Sequence, residues 1–190
     1  MTKYILHGGE TGLPNEHNKA FYQEWVKDFQ PGIIPTILLS YFAREKAEWP
    51  KLEQEDRERF ARYTNNRQVS FMVADSNLDT LREQIKVADV IYVRGGSVDK
   101  VIQAFTPLKD ELSALLNGKV YAGSSAGVMA LARYALSPEE DWCKGLGLLP
   151  VNVVVHWSEE FRKSLESFKE SYKGEGGEYL LIPETEFMVR

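Results

Sequence analysis

The sequence contains a single cysteine among 190 residues, Cys143, so no disulfide can form within the chain. No apolar run approaches the roughly 20 residues of a membrane-spanning helix, and residues 1–7 lack the apolar core of a signal peptide. The formal net charge is −5 and no run is rich in Lys and Arg, which argues against nucleic acid as a partner. We therefore expect a cytoplasmic protein that binds neither a membrane nor nucleic acid.

Cofactor motifs are missing as well. No group of His, Cys and carboxylate residues has metal-ligand spacing, which predicts no metal. Neither a Gly-x-Gly-x-x-Gly motif nor a Walker-type loop occurs, which predicts no nucleotide. With 43% hydrophobic and 27% charged residues, the composition is typical of a globular protein, and residues 1–190 are expected to form one domain.

Strand-like and helix-like segments alternate along nearly the whole chain. Strands are predicted at residues 3–7, 36–42, 69–73, 89–93, 119–122, 152–155 and 179–182. Helices are predicted at residues 16–29, 43–66 (with a break near Trp49-Pro50), 78–87, 98–116 (divided near Pro107), 128–132 and 159–172, and residues 137–150 are predicted to be irregular. This alternation predicts an α/β three-layer sandwich in which helices cover a mainly parallel sheet.

A nucleophile elbow is predicted where the fifth strand meets the next helix. The segment Gly123-Ser124-Ser125-Ala126-Gly127 places a serine between glycines, as a tight strand-to-helix turn requires. Centring the motif on the glycines selects Ser125. A frame shifted by one residue, with Ala122 and Ala126 as the small flanks, selects Ser124. We choose Ser125 because the glycine frame is less strained.

A serine nucleophile needs a base, and the sequence contains three histidines. Ligands of an open parallel sheet bind beyond the carboxyl ends of its strands. His156 directly follows the strand at 152–155 and is therefore expected beside Ser125. His7, at the end of the first strand, is the reserve candidate, whereas His17 is expected to be solvated near the start of a helix.

The third member of a triad and the oxyanion donors have several candidates. Glu184 follows the last strand, whereas Asp141 matches the serine–acid–histidine order of α/β-hydrolases, and the residues alone leave both open. Backbone amides usually bind the oxyanion. The amide of Ala126 follows the nucleophile directly, and the Gly95-Gly96 pair after the fourth strand allows Gly96 to approach a substrate closely.

These residues resemble those of peptidase family S51, the peptidase E relatives that include cyanophycinase. The resemblance covers most of the chain and is sharpest at residues 90–96, 121–127 and 181–184. It implies a flavodoxin-like fold of the class I glutamine amidotransferase type. It also implies Ser125 as nucleophile, His156 as base and Glu184 as the acid. The implied oxyanion donors are Gly96 and Ala126.

The function implied by the resemblance is a serine exopeptidase, similar to a dipeptidase or aminopeptidase, that hydrolyses short peptides as a monomer or homodimer. The family arginine that recognises an N-terminal aspartate has no clear counterpart, which makes Arg94 and Arg162 the candidates for substrate binding. One alternative is a glutamine amidotransferase, but that enzyme needs cysteine at the elbow and Cys143 lies elsewhere. The other alternative is a non-catalytic binding module on the same fold.

Overall fold

The computed structural model describes residues 1–138, 142–171 and 177–190. The strands in these residues are β1 (Lys3–His7), β2 (Thr36–Ser40), β3 (Ser70–Val73), β4 (Val90–Val93), β5 (Val120–Ser124), β6 (Tyr134–Leu136), β7 (Cys143–Lys144), β8 (Val151–Val155), β9 (Glu178–Ile182) and β10 (Phe187–Val189). The α-helices are α1 (Glu16–Glu24), α2 (Trp49–Tyr63), α3 (Leu78–Val87), α4 (Val98–Phe105), α5 (Lys109–Leu116), α6 (Ala126–Met129) and α7 (Arg162–Ser171). None of these helices is both long and apolar enough to cross a bilayer.

The strands form two sheets. A six-stranded sheet has the order β10-β1-β5-β4-β2-β3, and a four-stranded sheet has the order β7-β6-β8-β9. Neighbouring strands are parallel except for β10, which pairs antiparallel with β1, and β7, which pairs antiparallel with β6. The predicted α/β architecture with mainly parallel strands is confirmed, but its strands are divided between two sheets.

Buried apolar side chains join the two sheets. Alternate residues of a strand point to opposite faces, so Ile91 and Val93 of β4 enter one buried cluster while Tyr92 enters another. The first cluster also contains Val153 of β8 and Ile182 of β9. One continuous core therefore fixes the carboxyl ends of β8 and β9 relative to those of β4 and β5.

Two prolines mark helix boundaries. The helical region predicted from residue 43 begins as an α-helix only at Trp49, because Pro50 fits the first helical turn, where no amide donor is needed. In the region predicted to divide near Pro107, a 3-10 turn at Thr106–Leu108 separates α4 from α5. The predicted division is confirmed.

The sequence patterns missed three short strands, β6, β7 and β10. Each contains only two or three residues, too few for an alternating pattern to be recognised. Strand β7 lies within the segment predicted to be irregular. Residues 139–141, which include the acid candidate Asp141, lie outside the described residues.

Candidate active site

The carboxyl ends of three strands bring the predicted Ser, His and Glu together. Ser125 directly follows β5, His156 directly follows β8, and Glu184 lies two residues after β9. The Oγ of Ser125 is 3.0 Å from Nε2 of His156. On the other side of the ring, Nδ1 of His156 is 3.1 Å from Oε1 of Glu184. The three side chains form one hydrogen-bonded chain across the two sheets.

The backbone at Ser125 adopts the tight turn expected of an elbow. Its dihedral angles, φ 46° and ψ −107°, lie outside the regions that non-glycine residues favour. A Cβ on Gly127 would lie only 2.4 Å from the carbonyl oxygen of Val93, so the turn requires glycine there. Ser124 is 3% exposed at the end of β5, whereas Ser125 is half-buried and its hydroxyl contacts His156.

A single backbone segment, residues 7–9 at the end of β1, connects the three turns of the site. Its three successive carbonyl oxygens accept hydrogen bonds from the amides of Ser125 (2.9 Å), His156 (3.1 Å) and Thr185 (3.0 Å). Thr185 directly follows Glu184. The relative positions of the three side chains therefore depend on one strand end as well as on their own contacts.

Gly9 allows the His156 ring to lie against this segment. A Cβ on Gly9 would be 2.1 Å from Cε1 of His156, a distance that no side chain could occupy. Gly8-Gly9 was not among the candidate residues identified from the sequence. The signal that identifies it is a glycine pair at the carboxyl end of a parallel strand, the same signal that drew attention to Gly95-Gly96.

His7, the reserve candidate for the base, is fully buried beneath the site. Its Nε2 lies 2.8 Å from Oδ1 of Asn18, and the amide of Gly9 donates to its Nδ1 at 3.1 Å. Because Nδ1 accepts that hydrogen bond, the ring carries its proton on Nε2 and is neutral. Burial, together with the nearby His156, lowers the pKa of His7 from 6.5 to about 4. His7 thus supports the loop around Gly9.

The hydrogen bonds of His156 indicate its tautomer. Glu184, as a carboxylate, accepts the proton on Nδ1, which leaves Nε2 free to accept the Ser125 hydroxyl. The Glu184 side chain is 55% exposed and that of His156 is 12% exposed. Solvent screens such a pair, so it orients the imidazole more than it stabilises the fold.

A cleft of about 700 Å³ opens above Ser125 and His156. The Gly95-Gly96 turn lines it, and a Cβ on Gly95 would lie 3.2 Å from Cβ of Ser125. The amides of Gly96 and Ala126 donate no hydrogen bond to any residue in the described part of the chain. Ala126 directly follows Ser125 in the chain and Gly96 lines the same cleft, so two backbone amides without a described partner lie near Ser125.

Arg94, one of the two arginine candidates for substrate binding, lines the cleft but is paired with carboxylates. Its Nη2 lies 3.0 Å from Glu55 and its Nη1 lies 3.1 Å from Asp56, which is fully buried. Arg59 contacts the same two carboxylates, each at 3.2 Å. Burial alone would lower the pKa of Arg94, but the nearby Tyr92 together with the carboxylates of Asp56 and Glu55 outweighs it and raises that pKa above its usual range.

Arg162 and Cys143 lie away from the Ser125 hydroxyl. Arg162 pairs with Glu159 at 2.8 Å and lies over the ring of Trp157, and it is not among the described residues that line the cleft. Cys143 belongs to β7, at the edge of the four-stranded sheet. Within residues 1–138, 142–171 and 177–190, no group of three or more potential metal ligands occurs.

Of the charged residues that line the cleft, only Arg94 was a candidate from the sequence, and two of the others follow strand ends. Glu10 follows β1 and Arg44 follows β2, and both line the cleft. The available signal was their position just beyond the carboxyl ends of parallel strands. Single charged residues in loops are so common that this signal is weak without the tertiary structure.

One comparison with known proteins identifies a family, and a second finds structures with a similar fold. A family model described as Peptidase family S51 matches residues 6–189. A peptidase from an acI-B1 Actinobacterium has a TM-score of 0.69 and 21% identity, covering 100% of this chain and 83% of that one. A Listeria monocytogenes EGD-e protein, provisionally assigned as peptidase E, has a TM-score of 0.62 and 16% identity, covering 100% and 98%. These two likenesses show a shared fold. No curated protein sequence matches the chain.

Proposed function

The chain belongs to peptidase family S51, and from that premise we propose that it is an exopeptidase that hydrolyses short peptides through Ser125, His156 and Glu184. The observation that carries this proposal is the continuous hydrogen-bonded chain of the three side chains, with contacts of 3.0 and 3.1 Å, in which Ser125 and His156 line the cleft. We further propose that residues 1–190 form a single domain, because one buried cluster joins both sheets.

The acylation step begins at the Ser125 hydroxyl. Its Oγ attacks the carbonyl carbon of the peptide while Nε2 of His156 takes the hydroxyl proton. The carbonyl oxygen becomes an oxyanion, which accepts hydrogen bonds from the amides of Gly96 and Ala126. The Glu184 carboxylate remains ionised and stabilises the imidazolium through the proton on Nδ1.

The intermediate then collapses in two stages. His156 donates its proton to the leaving amine as the C–N bond breaks, which leaves an ester on Ser125. Water replaces the amine, loses a proton to Nε2 of His156 and attacks the ester carbonyl. The acid product leaves and the proton returns to Oγ of Ser125, so the enzyme is regenerated.

Labelling with a fluorophosphonate probe tests this proposal. Intact-mass analysis should find one adduct on the wild-type protein and on Ser124→Ala, and none on Ser125→Ala. Hydrolysis of a panel of short peptides should fall by about 10⁵-fold in Ser125→Ala, the scale expected when a nucleophile is removed.

Two results would contradict the proposal, each in a different way. Labelling that persists in Ser125→Ala but disappears in Ser124→Ala would move the nucleophile by one residue. A folded wild-type protein that neither takes the label nor hydrolyses any peptide of the panel would be a binding module on the same fold.

A further inference from the structure

The charges that line the cleft are mostly matched within the protein. Arg59 and Arg94 share the carboxylates of Glu55 and Asp56, as described above. Lys100 forms an ion pair with Glu45, and Oε2 of Glu48 accepts the amide of Glu45. Glu48 forms no ion pair within the described residues, and its carboxylate accepts only that amide. Apart from Glu48, two charged groups of the cleft have no ion-pair partner among the described residues: the Nη groups of Arg44 and the carboxylate of Glu10.

The guanidinium of Arg44 is anchored beside the proposed oxyanion donor. Its Nε donates to the carbonyl oxygen of Gly95 at 2.8 Å, next to Gly96. A guanidinium carries five N–H donors, and this contact uses only the one on Nε. The remaining donors suit the bidentate recognition of a carboxylate.

The backbone of Glu10 is fixed close to the proposed base. Its carbonyl oxygen accepts hydrogen bonds from Nδ2 of Asn18 at 2.8 Å and from the amide of Leu13 at 3.1 Å. The preceding residue, Gly9, lies against the His156 ring. The carboxylate of Glu10 is therefore attached to a fixed backbone position, next in sequence to the residue that contacts the His156 ring.

The strand order places these two charges on opposite sides of Ser125. Ser125 directly follows β5. On one side of β5 lies β1, which leads to Glu10. On the other side lie β4 and then β2, and β2 leads to Arg44. Neighbouring strands are about 4.8 Å apart, so Glu10 follows a strand about 5 Å away and Arg44 follows one about 10 Å away. Of the two charges in a short peptide, the α-ammonium group is the one nearer to the first carbonyl, just as Glu10 follows the strand nearer to β5.

We propose that Glu10 binds the α-ammonium group of the substrate and Arg44 binds a substrate carboxylate, so that the cleft selects short peptides with a free N-terminus. The inference rests on the proposed function of the same cleft. The carboxylate has two sources with the same chemistry, the C-terminal carboxylate of a dipeptide and an acidic side chain. The polarity of binding is set in either case: the N-terminus lies on the β1 side and the carboxylate on the β2 side.

The test measures binding in the Ser125→Ala background, where no probe is hydrolysed. Isothermal titration calorimetry would compare Ala-Ala with N-acetyl-Ala-Ala and with Ala-Ala amide. N-acetylation should weaken binding at least tenfold, and Glu10→Gln should remove that difference. If Arg44 binds the C-terminal carboxylate, amidation should likewise weaken binding, and Arg44→Gln should remove that difference.

A further pair of probes separates the two sources of carboxylate. If Asp-Ala amide binds more tightly than Ala-Ala amide, and Arg44→Gln removes the gain, Arg44 recognises an acidic side chain. If the two amides bind equally, it recognises the C-terminus. Matched controls outside the cleft, Glu83→Gln on α3 and Arg62→Gln on α2, should leave every ratio unchanged.

The inference is overturned if Ala-Ala and N-acetyl-Ala-Ala bind equally, if Glu10→Gln keeps the discrimination, or if no unblocked probe binds. Failure of the proposed function has a different signature. In that case wild-type protein would hydrolyse none of the probes while the binding ratios and their dependence on Glu10 and Arg44 were retained.

Discussion

The hydrogen-bonded chain of Ser125, His156 and Glu184 differs from the ion-pair network around Asp56 in burial and in what holds it together. The Glu184 carboxylate is 55% exposed, whereas Asp56 is fully buried beneath the cleft. Burial raises the pKa of Asp56, and charge pairing with Arg94 and Arg59 offsets part of that effect. The exposed chain is held mainly by main-chain hydrogen bonds to residues 7–9.

Hydrogen bonds in the first network position its side chains, whereas ion pairs in the second network offset the charge of a buried group. Main-chain hydrogen bonds hold Ser125, His156 and Glu184 in position. Their side chains can therefore exchange protons without a change in position. The Asp56 network has no such freedom, since removing Asp56 takes a fully buried partner from both Arg94 and Arg59. Substitutions in the first network should change turnover, and substitutions in the second should change stability.

The largest expected effect is on turnover, in Glu184→Gln. An amide at this position no longer stabilises the imidazolium, so kcat/KM should fall by about 10³-fold, equivalent to about 4 kcal/mol in the transition state. The melting temperature should shift by less than about 2 °C because the side chain is largely exposed. Glu186→Gln, exposed two residues further on, is the control for both measurements. Wild-type turnover in Glu184→Gln would remove this carboxylate from the mechanism.

The second effect should appear in stability, in Asp56→Asn. Arg94 and Arg59 would lose a buried partner, and the free energy of unfolding should fall by about 3 kcal/mol. Urea titration measures this loss. Glu53→Gln on the same helix removes only a surface pair with Arg57 and should cost less than about 0.5 kcal/mol. Equal losses in the two variants would contradict the contrast between the networks.

The smallest of these effects concerns acid stability and His7. Its pKa is about 4 in the folded chain against an ordinary value of 6.5, so the unfolded chain binds the proton first as the pH falls. Folding stability should therefore decline between about pH 6.5 and 4, and between pH 7 and 5 this group should contribute a loss of about 2 kcal/mol. Urea titrations at the two pH values should show that loss in wild type and in His17→Gln, whose position is exposed, but not in His7→Gln. The same slope in all three proteins would refute the assignment.

Much of the fold was predictable because its signals are local. Strands such as β2 and β4 are continuous apolar runs, as expected of parallel strands covered on both faces, and Pro107 marks the division between α4 and α5. The elbow around Ser125 was predictable for a similar reason, since a tight turn restricts its immediate neighbours to small residues. Strands β6, β7 and β10 were not predictable, because pairing with distant strands, and not their own two or three residues, makes them strands.

The sequence by itself determined the alternation of strands and helices and which residues follow the strand ends, including Ser125, His156 and Glu184, because these properties depend on neighbours along the chain. Only the tertiary structure decided that the strands form two sheets and that residues 7–9 connect the three turns. It also decided that Glu10 and Arg44, which form no ion pair within the described residues, follow strands on opposite sides of the site. Those properties depend on hydrogen bonds and ion pairs between residues far apart in sequence, which become specified only when the core brings the two sheets together.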